Sequence, residues 1–241
     1  MKKAVIIGAS SGIGYEVARL LIAQGWTVGV AARRFEPLAT LQNQAPERVF
    51  TAQIDVTADD ADTSLLQLIE RMGGMDLYLH AAGIGWTNKT LEAEKEMTTM
   101  QTNAMGFTRM VGTAYRYFAN NGGGHIACIT SIAGTKGLGP APSYSATKAM
   151  QNTYLQALEQ LANAQKLDIQ FTDIRPGFVD TPLLTGEKKY PMLMTTETVA
   201  QDIVKAIRKR KHICVIDTRW CILTFVWSLI PNWIWRRLRL F

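Results

Sequence analysis

Tyr144 and Lys148 stand four residues apart in the run Tyr144-Ser145-Ala146-Thr147-Lys148. On a helix that spacing stacks the two side chains on one face. A free tyrosine titrates at about 10 and exchanges protons poorly at neutral pH. An ammonium close by favours the phenolate, lowers that value and brings the phenol into range for acid–base work. Ser131, thirteen residues upstream, offers a hydroxyl that can bond a substrate oxygen and hold it near the phenol. An amphipathic helix can carry tyrosine and lysine at this spacing for no chemical reason. The serine, together with a glycine motif far upstream, argues against that bland reading.

The glycine motif is Gly8-Ala9-Ser10-Ser11-Gly12-Ile13-Gly14. Glycine is needed where the backbone turns sharply or must approach a pyrophosphate closely. The N-terminus of the following helix then turns free N–H groups and a positive dipole end toward the phosphate charge. The spacing is G-x-x-x-G-x-G and not the commoner G-x-G-x-x-G. Glycine-rich turns also end strands for local reasons. Position favours nucleotide binding, because the motif joins the first strand to the first helix.

These residues need a scaffold, and the chain alternates to supply one. Strands are expected over 3–7, 27–32, 48–54, 75–81, 125–130, 168–174 and 212–217, most of them nearly continuous apolar runs. Helical patterns lie near 13–25, 58–72, 91–119, 141–165 and 196–210. The alternation predicts an α/β fold, a doubly wound parallel sheet of about seven strands with helices on both faces. At 241 residues and 47% hydrophobic, the chain suits one domain over 1–218, followed by a distinct tail over 219–241. Cys128, Cys214 and Cys221 have no C-x-x-C spacing, so neither a disulfide framework nor a metal site is expected. The apolar run Ala4–Gly8 is too short for a signal-peptide core, which predicts a cytoplasmic protein.

Several further motifs fall in a fixed order. Asp55-Val56 follows the third strand, His80-Ala81-Ala82-Gly83 ends the fourth, and Asn103 lies in the next helix. Ser131 ends the fifth strand, and Arg175-Pro176-Gly177-Phe178-Val179-Asp180-Thr181 follows the sixth. In this ordered set, covering residues 3–217, the chain resembles the short-chain dehydrogenase/reductase family, whose fold is of Rossmann type. The resemblance implies a catalytic set of Asn103, Ser131, Tyr144 and Lys148. It implies that Gly8, Ser10, Ser11, Gly12, Ile13, Gly14, Asp55, Val56, Ala82 and Gly83 bind the cofactor, Asp55 near its adenine. It further implies that Lys148 and Tyr144 meet the nicotinamide ribose, that Pro176, Gly177, Val179 and Thr181 fix the nicotinamide end, and that Asn103 supports a water relaying protons to Lys148. One departure is that the family usually reads Asn-Asn-Ala-Gly where this chain has His80-Ala81-Ala82-Gly83. A histidine replacing a structural asparagine is read here as packed and not as a catalytic base.

In relatives that use NAD, an acid ends the second strand and bonds the adenosine ribose. Here the strand runs into Arg33-Arg34. Guanidinium groups form fork-like, charge-assisted bonds with phosphate and suit the extra 2′-phosphate of NADP(H). The expected activity is therefore NADPH-dependent reduction of a carbonyl to an alcohol, Tyr144 supplying the proton and Ser131 polarising the carbonyl. Leu183, Leu184, Tyr190, Met192, Leu193 and Met194 suggest an apolar wall and a hydrophobic, lipid-like ketone. The alternative from another class is a catalytically idle NADP-binding sensor or scaffold, expected to have lost the tyrosine or the lysine. An epimerase of the extended branch would resemble G-x-x-G-x-x-G and carry a larger C-terminal domain. Family members usually pair through the helices near 91–119 and 141–165, so a homo-oligomer, dimer or tetramer, is expected.

The net charge of +6 is concentrated at the end. Lys205, Arg208, Lys209, Arg210, Lys211, Arg219, Arg236, Arg237 and Arg239 follow residue 204 against Asp217 alone, beside Trp220, Trp227, Trp233 and Trp235. Trp220–Ile230 is apolar at nine of eleven positions before Pro231 interrupts it. Eleven helical residues reach roughly 16 Å, too short for a bilayer that needs about 20 residues. Tryptophan beside arginine is the composition of an interfacial element, which points to membrane-surface contact. The other reading is a segment packed over the substrate mouth or a dimer seam. Aliphatic bulk and the lack of a recognition module argue against nucleic acid.

Overall fold

The computed structural model describes residues 2–184 and 190–238. Elements run β1 (Lys3–Ile7), α1 (Gly12–Ala23), β2 (Thr27–Ala32), α2 (Glu36–Gln42), β3 (Val49–Gln53), α3 (Ala61–Arg71) and β4 (Leu77–His80). Then come α4 (Ala93–Met100), a π-helical turn (Gln101–Gly106), α5 (Phe107–Asn120), β5 (Gly124–Ile129) and a 3₁₀ turn (Ile132–Gly134). They continue with α6 (Pro142–Ala164), β6 (Ile169–Arg175), α7 (Thr196–Arg208), β7 (Ile213–Val215), α8 (Thr218–Ser228) and α9 (Asn232–Trp235). The seven strands form one parallel sheet in the order β3-β2-β1-β4-β5-β6-β7. Each strand of such a sheet is covered twice, and β1 does this with Ala4 and Ile6 facing one core, Val5 and Ile7 the other. The first core lies under α1, α2 and α7; the second lies under α3, α5 and α6.

Chain order reverses between β1 and β4, where Ile7 pairs with His80. Ligands of open α/β sheets bind outside the strand C-termini at such a switch point. Two expectations are refined. The helical pattern over 91–119 is two helices joined by the π-helical turn, and the short α2 was not foreseen. The tail helix α8 packs on the first core through Trp220 and Trp227.

Candidate active site

The switch-point crevice is built around Gly8. Its φ of +92° suits glycine, and a Cβ there would lie 2.5 Å from the Ala82 nitrogen. The end of β1 therefore touches the end of β4, and no larger residue fits. Gly12, Ile13 and Gly14 open α1, whose N-cap Ser11 makes no side-chain capping bond. First-turn N–H donors are thus left for an anion, the arrangement a pyrophosphate needs. Gly12 also faces Thr181, which brings the loop after β6 to the same spot.

Arg34 leans over this motif. Its Nη2 donates to Ser11 Oγ at 2.9 Å and to Ser10 Oγ at 3.3 Å. The Arg33 side chain is exposed beside it. No carboxylate stands directly at the end of β2; Glu36 already lies in α2. Asp55 accepts bonds from Thr57 N and Oγ1 at 2.9 and 2.8 Å, a local turn that fixes its carboxylate. Val56 is buried against Gly106.

Four elements converge on the catalytic candidates. Asn103 comes from the π-helical turn, and its side chain accepts from Ile84 N (2.9 Å) and donates to Ile84 O (2.7 Å). It thereby pins the loop beyond Ala82 and Gly83. Ser131 caps the 3₁₀ turn, its Oγ accepting from Ala133 N at 3.0 Å. Tyr144 and Lys148 share one face of α6, with Lys148 Nζ 5.7 Å from the Tyr144 ring centroid. Lys148 is buried and donates to Ile129 O at 3.1 Å. Gly83 lies within reach of both Asn103 Oδ1 and Lys148 Nζ.

The electrostatics differ from the expected lowering of the Tyr144 pKa. Burial raises the phenol above its ordinary value, and the Ser131 hydroxyl offsets part of that. The ammonium sits against the ring, where it does not overcome desolvation. Tyr144 is therefore protonated at neutral pH, the state a proton donor requires. Burial also holds Lys148 down to about 8, against the pull of Cys128 and Asp173.

The segment after β6 lies alongside. Pro176 and Val179 are buried, Thr181 is half-buried, and Val179 pairs with Met194. Gly177 has a different reason to be glycine: a Cβ there would run into the Trp220 indole. Phe178 packs edge-on against Trp220 and also contacts Tyr190, at ring separations of 5.6 and 4.8 Å. Met194 is in the core, whereas Leu183 and Leu193 are exposed. Within the tail, Arg239 lies outside the described residues.

Sequence reasoning missed three features. Gln151 is buried beside Lys148, signalled only by a polar residue on a buried helix face. Thr130, Asp173 and Arg175 form a bonded trio behind Ser131, with Asp173 paired to Arg175. Lys136, in the loop from Ser131 to Tyr144, donates to Ile230 O and Asn232 Oδ1, both at 2.9 Å. His80 is packed: it shares a 2.9 Å hydrogen bond with Tyr78, meets Phe107 edge-on, and burial lowers its pKa to about 3.

Comparisons with known proteins agree with this fold. A family model described as short chain dehydrogenase matches residues 2–191. An uncharacterized oxidoreductase of Myxococcus xanthus is 31% identical over 203 residues, covering 82% of this chain and 79% of that protein. A short-chain dehydrogenase from Streptomyces avermitilis superposes with a TM-score of 0.82 at 21% identity, covering 93% and 92% of the two chains. A variant of actinorhodin polyketide ketoreductase, solved with NADPH, gives 0.77 at 25% identity over 89% and 95%.

Proposed function

The chain belongs to the short-chain dehydrogenase family, and from that premise we propose that it is an NADPH-dependent reductase of a hydrophobic ketone. The observation that carries this reading is the convergence of Ser131, Tyr144 and Lys148 beside the Gly8–Gly14 crevice. When bound at this crevice, NADPH would supply the hydride for reduction of the carbonyl carbon. Ser131 bonds the carbonyl oxygen and holds it near the phenol. Tyr144 gives its proton to that oxygen as negative charge develops there. Lys148 keeps a positive charge beneath the phenol, so the tyrosinate left behind is stabilised, and its ammonium and Tyr144 would hold the nicotinamide ribose. Asn103 keeps the loop of Ala82 and Gly83 in register with this group. Gly8, Gly12, Ile13 and Gly14 would hold the pyrophosphate, Asp55 and Val56 the adenine end, and Pro176, Gly177, Val179 and Thr181 the nicotinamide end. Arg34, braced by Ser10 and Ser11, and Arg33 receive the 2′-phosphate. An idle sensor is the poorer reading, since no member of the reactive group is missing.

The test is NADPH consumption over ketones graded by chain length, with and without lipid vesicles. Turnover rising with apolar length supports the reading. No turnover on any ketone, with NADPH bound, overturns it.

The tail supports a peripheral role for a cytoplasmic enzyme, whose cysteines are all free. No helix among the described residues is long and apolar enough to cross a membrane. Phe225, Leu229 and Trp233 are nevertheless 64%, 66% and 63% exposed, and Arg237 stacks on Trp233. A groove of about 940 Å³ lined by Trp235 and Leu238 is rimmed by Lys89, Lys136 and Arg236. Apolar side chains flanked by cations fit an anionic membrane surface. Phe225→Asp with Leu229→Asp should abolish co-sedimentation with anionic vesicles; an intact chain that stays in the supernatant at low salt refutes the contact. Exposed Met97, Met100, Met105 and Leu161 support pairing of copies through α4–α6, which sedimentation velocity tests.

A further inference from the structure

Gln151 lies three residues beyond Lys148 on α6 and is completely shut off from solvent. A buried amide must satisfy both of its ends. Its Oε1 accepts from Lys148 Nζ at 3.0 Å, and its Nε2 donates to the Asn103 backbone carbonyl at 2.8 Å. That carbonyl belongs to the π-helical turn, a local distortion of the ladder that recurs at functional sites. The side chain of the same asparagine holds Ile84. One amide thus joins the buried ammonium of α6 to the backbone of the neighbouring helical layer. An apolar side chain of similar volume would fill the space without either bond.

We infer that Gln151 is a positioning residue for the reaction proposed above: it seats the Lys148 ammonium between β5 and the π-helical turn, and stands between that ammonium and the Asn103 carbonyl. An amide accepts at oxygen and donates at nitrogen but passes on no proton at neutral pH.

The groups facing the ammonium are Tyr144 on its own helix, His80 on β4, Cys128 on β5 and Asp173 on β6. His80 is neutral, and burial raises the Cys128 thiol well above its ordinary value. The Gln151 oxygen favours the charged lysine, so its removal lowers the lysine's pKa and a carboxylate in its place raises it. The catalytic consequence rests on the proposed reduction, but the seating of Lys148 is measurable without turnover. The experiment uses the full chain labelled with ¹³C at lysine Cε, Lys148 being assigned as the resonance lost in Lys148→Met.

Its titration should move down by about one pH unit in Gln151→Leu and up by about one unit in Gln151→Glu, given the usual strength of hydrogen bonds to charged groups. Gln151→Met, equally long and without either polar atom, replaces Gln151→Leu if that variant does not fold. The alkaline limb of kcat for ketone reduction should follow the same opposite shifts with KM little changed. Equal shifts, or none, in the apolar and acidic variants would mean that Gln151 only fills space, and the inference falls. Opposite shifts in a protein that reduces no ketone would uphold the seating and sink the proposed reaction instead.

Discussion

Under the proposed NADPH reading, Arg34→Ala should weaken NADPH binding selectively. The Arg34 guanidinium already uses Nη2 on Ser11 and Ser10, which fixes the side chain over the glycine motif and leaves Nε and Nη1 for a phosphate. A hydrogen bond to a charged group contributes roughly 1.5–3 kcal/mol, which corresponds to roughly 10- to 150-fold in affinity. Arg34 is exposed, so solvent screening favours the lower half of that range. The loss in NADPH affinity should therefore be about 10- to 30-fold, with NADH affinity nearly unchanged. Arg33→Ala should lose less, because no serine braces that side chain. Arg34→Lys should recover only part, since an ammonium keeps the charge and lacks the fork. Titration of NADPH and NADH fluorescence against each variant, at low and high salt, reads all of this. Equal losses for both cofactors would mean that Arg34 holds the β2–α2 turn, and the phosphate assignment would be refuted.

Tyr144→Phe removes only the phenolic proton and should cut ketone turnover roughly 10²- to 10⁴-fold with NADPH binding nearly intact, measured by steady-state assay and fluorescence. Acid should destabilise the fold between about pH 6.5 and 3, because burial lowers His80 to about 3 and His125 to about 4. The unfolded chain binds those protons first, so stability is present above the unfolded value and lost as pH falls; denaturation against pH should show a shallower slope in His80→Asn. Trp220→Ala should lower unfolding stability by about 3–5 kcal/mol, read from the denaturant midpoint, because the indole fills the space against Gly177 and Phe178.

The sheet was legible because its strands are covered on both faces, so β1, β2 and β4 appear as nearly continuous apolar runs. Gly8, Ser131, Tyr144 and Lys148 were legible because parallel pairing of β1, β4 and β5 aligns the strand ends and one helical turn sets Tyr144 beside Lys148. The state of Tyr144 was not. Spacing puts an ammonium near a phenol, but whether charge or desolvation prevails depends on how deeply α6 and the loop of Gly85 enclose the ring. Gln151 escaped for a similar reason: its partner at Asn103 lies 48 residues away, on a π-helical turn that no periodicity announces.

The tail resisted reading because its helix is apolar almost all round, and periodicity cannot then tell an inner face from an outer one. Contacts separate them. Trp220, Thr224 and Trp227 recur at helical spacing and are buried, while Ile222, Phe225, Val226 and Leu229 are exposed. The inner side also grips two loops of the site: Trp220 lies on Gly177 and Phe178, and the Trp235 indole donates to Gly137 O at 2.8 Å. Those loops follow β6 and β5, the strands that deliver Pro176 and Ser131. The packed side accounts for the buried tryptophans, and the proposed membrane contact would use only the exposed side.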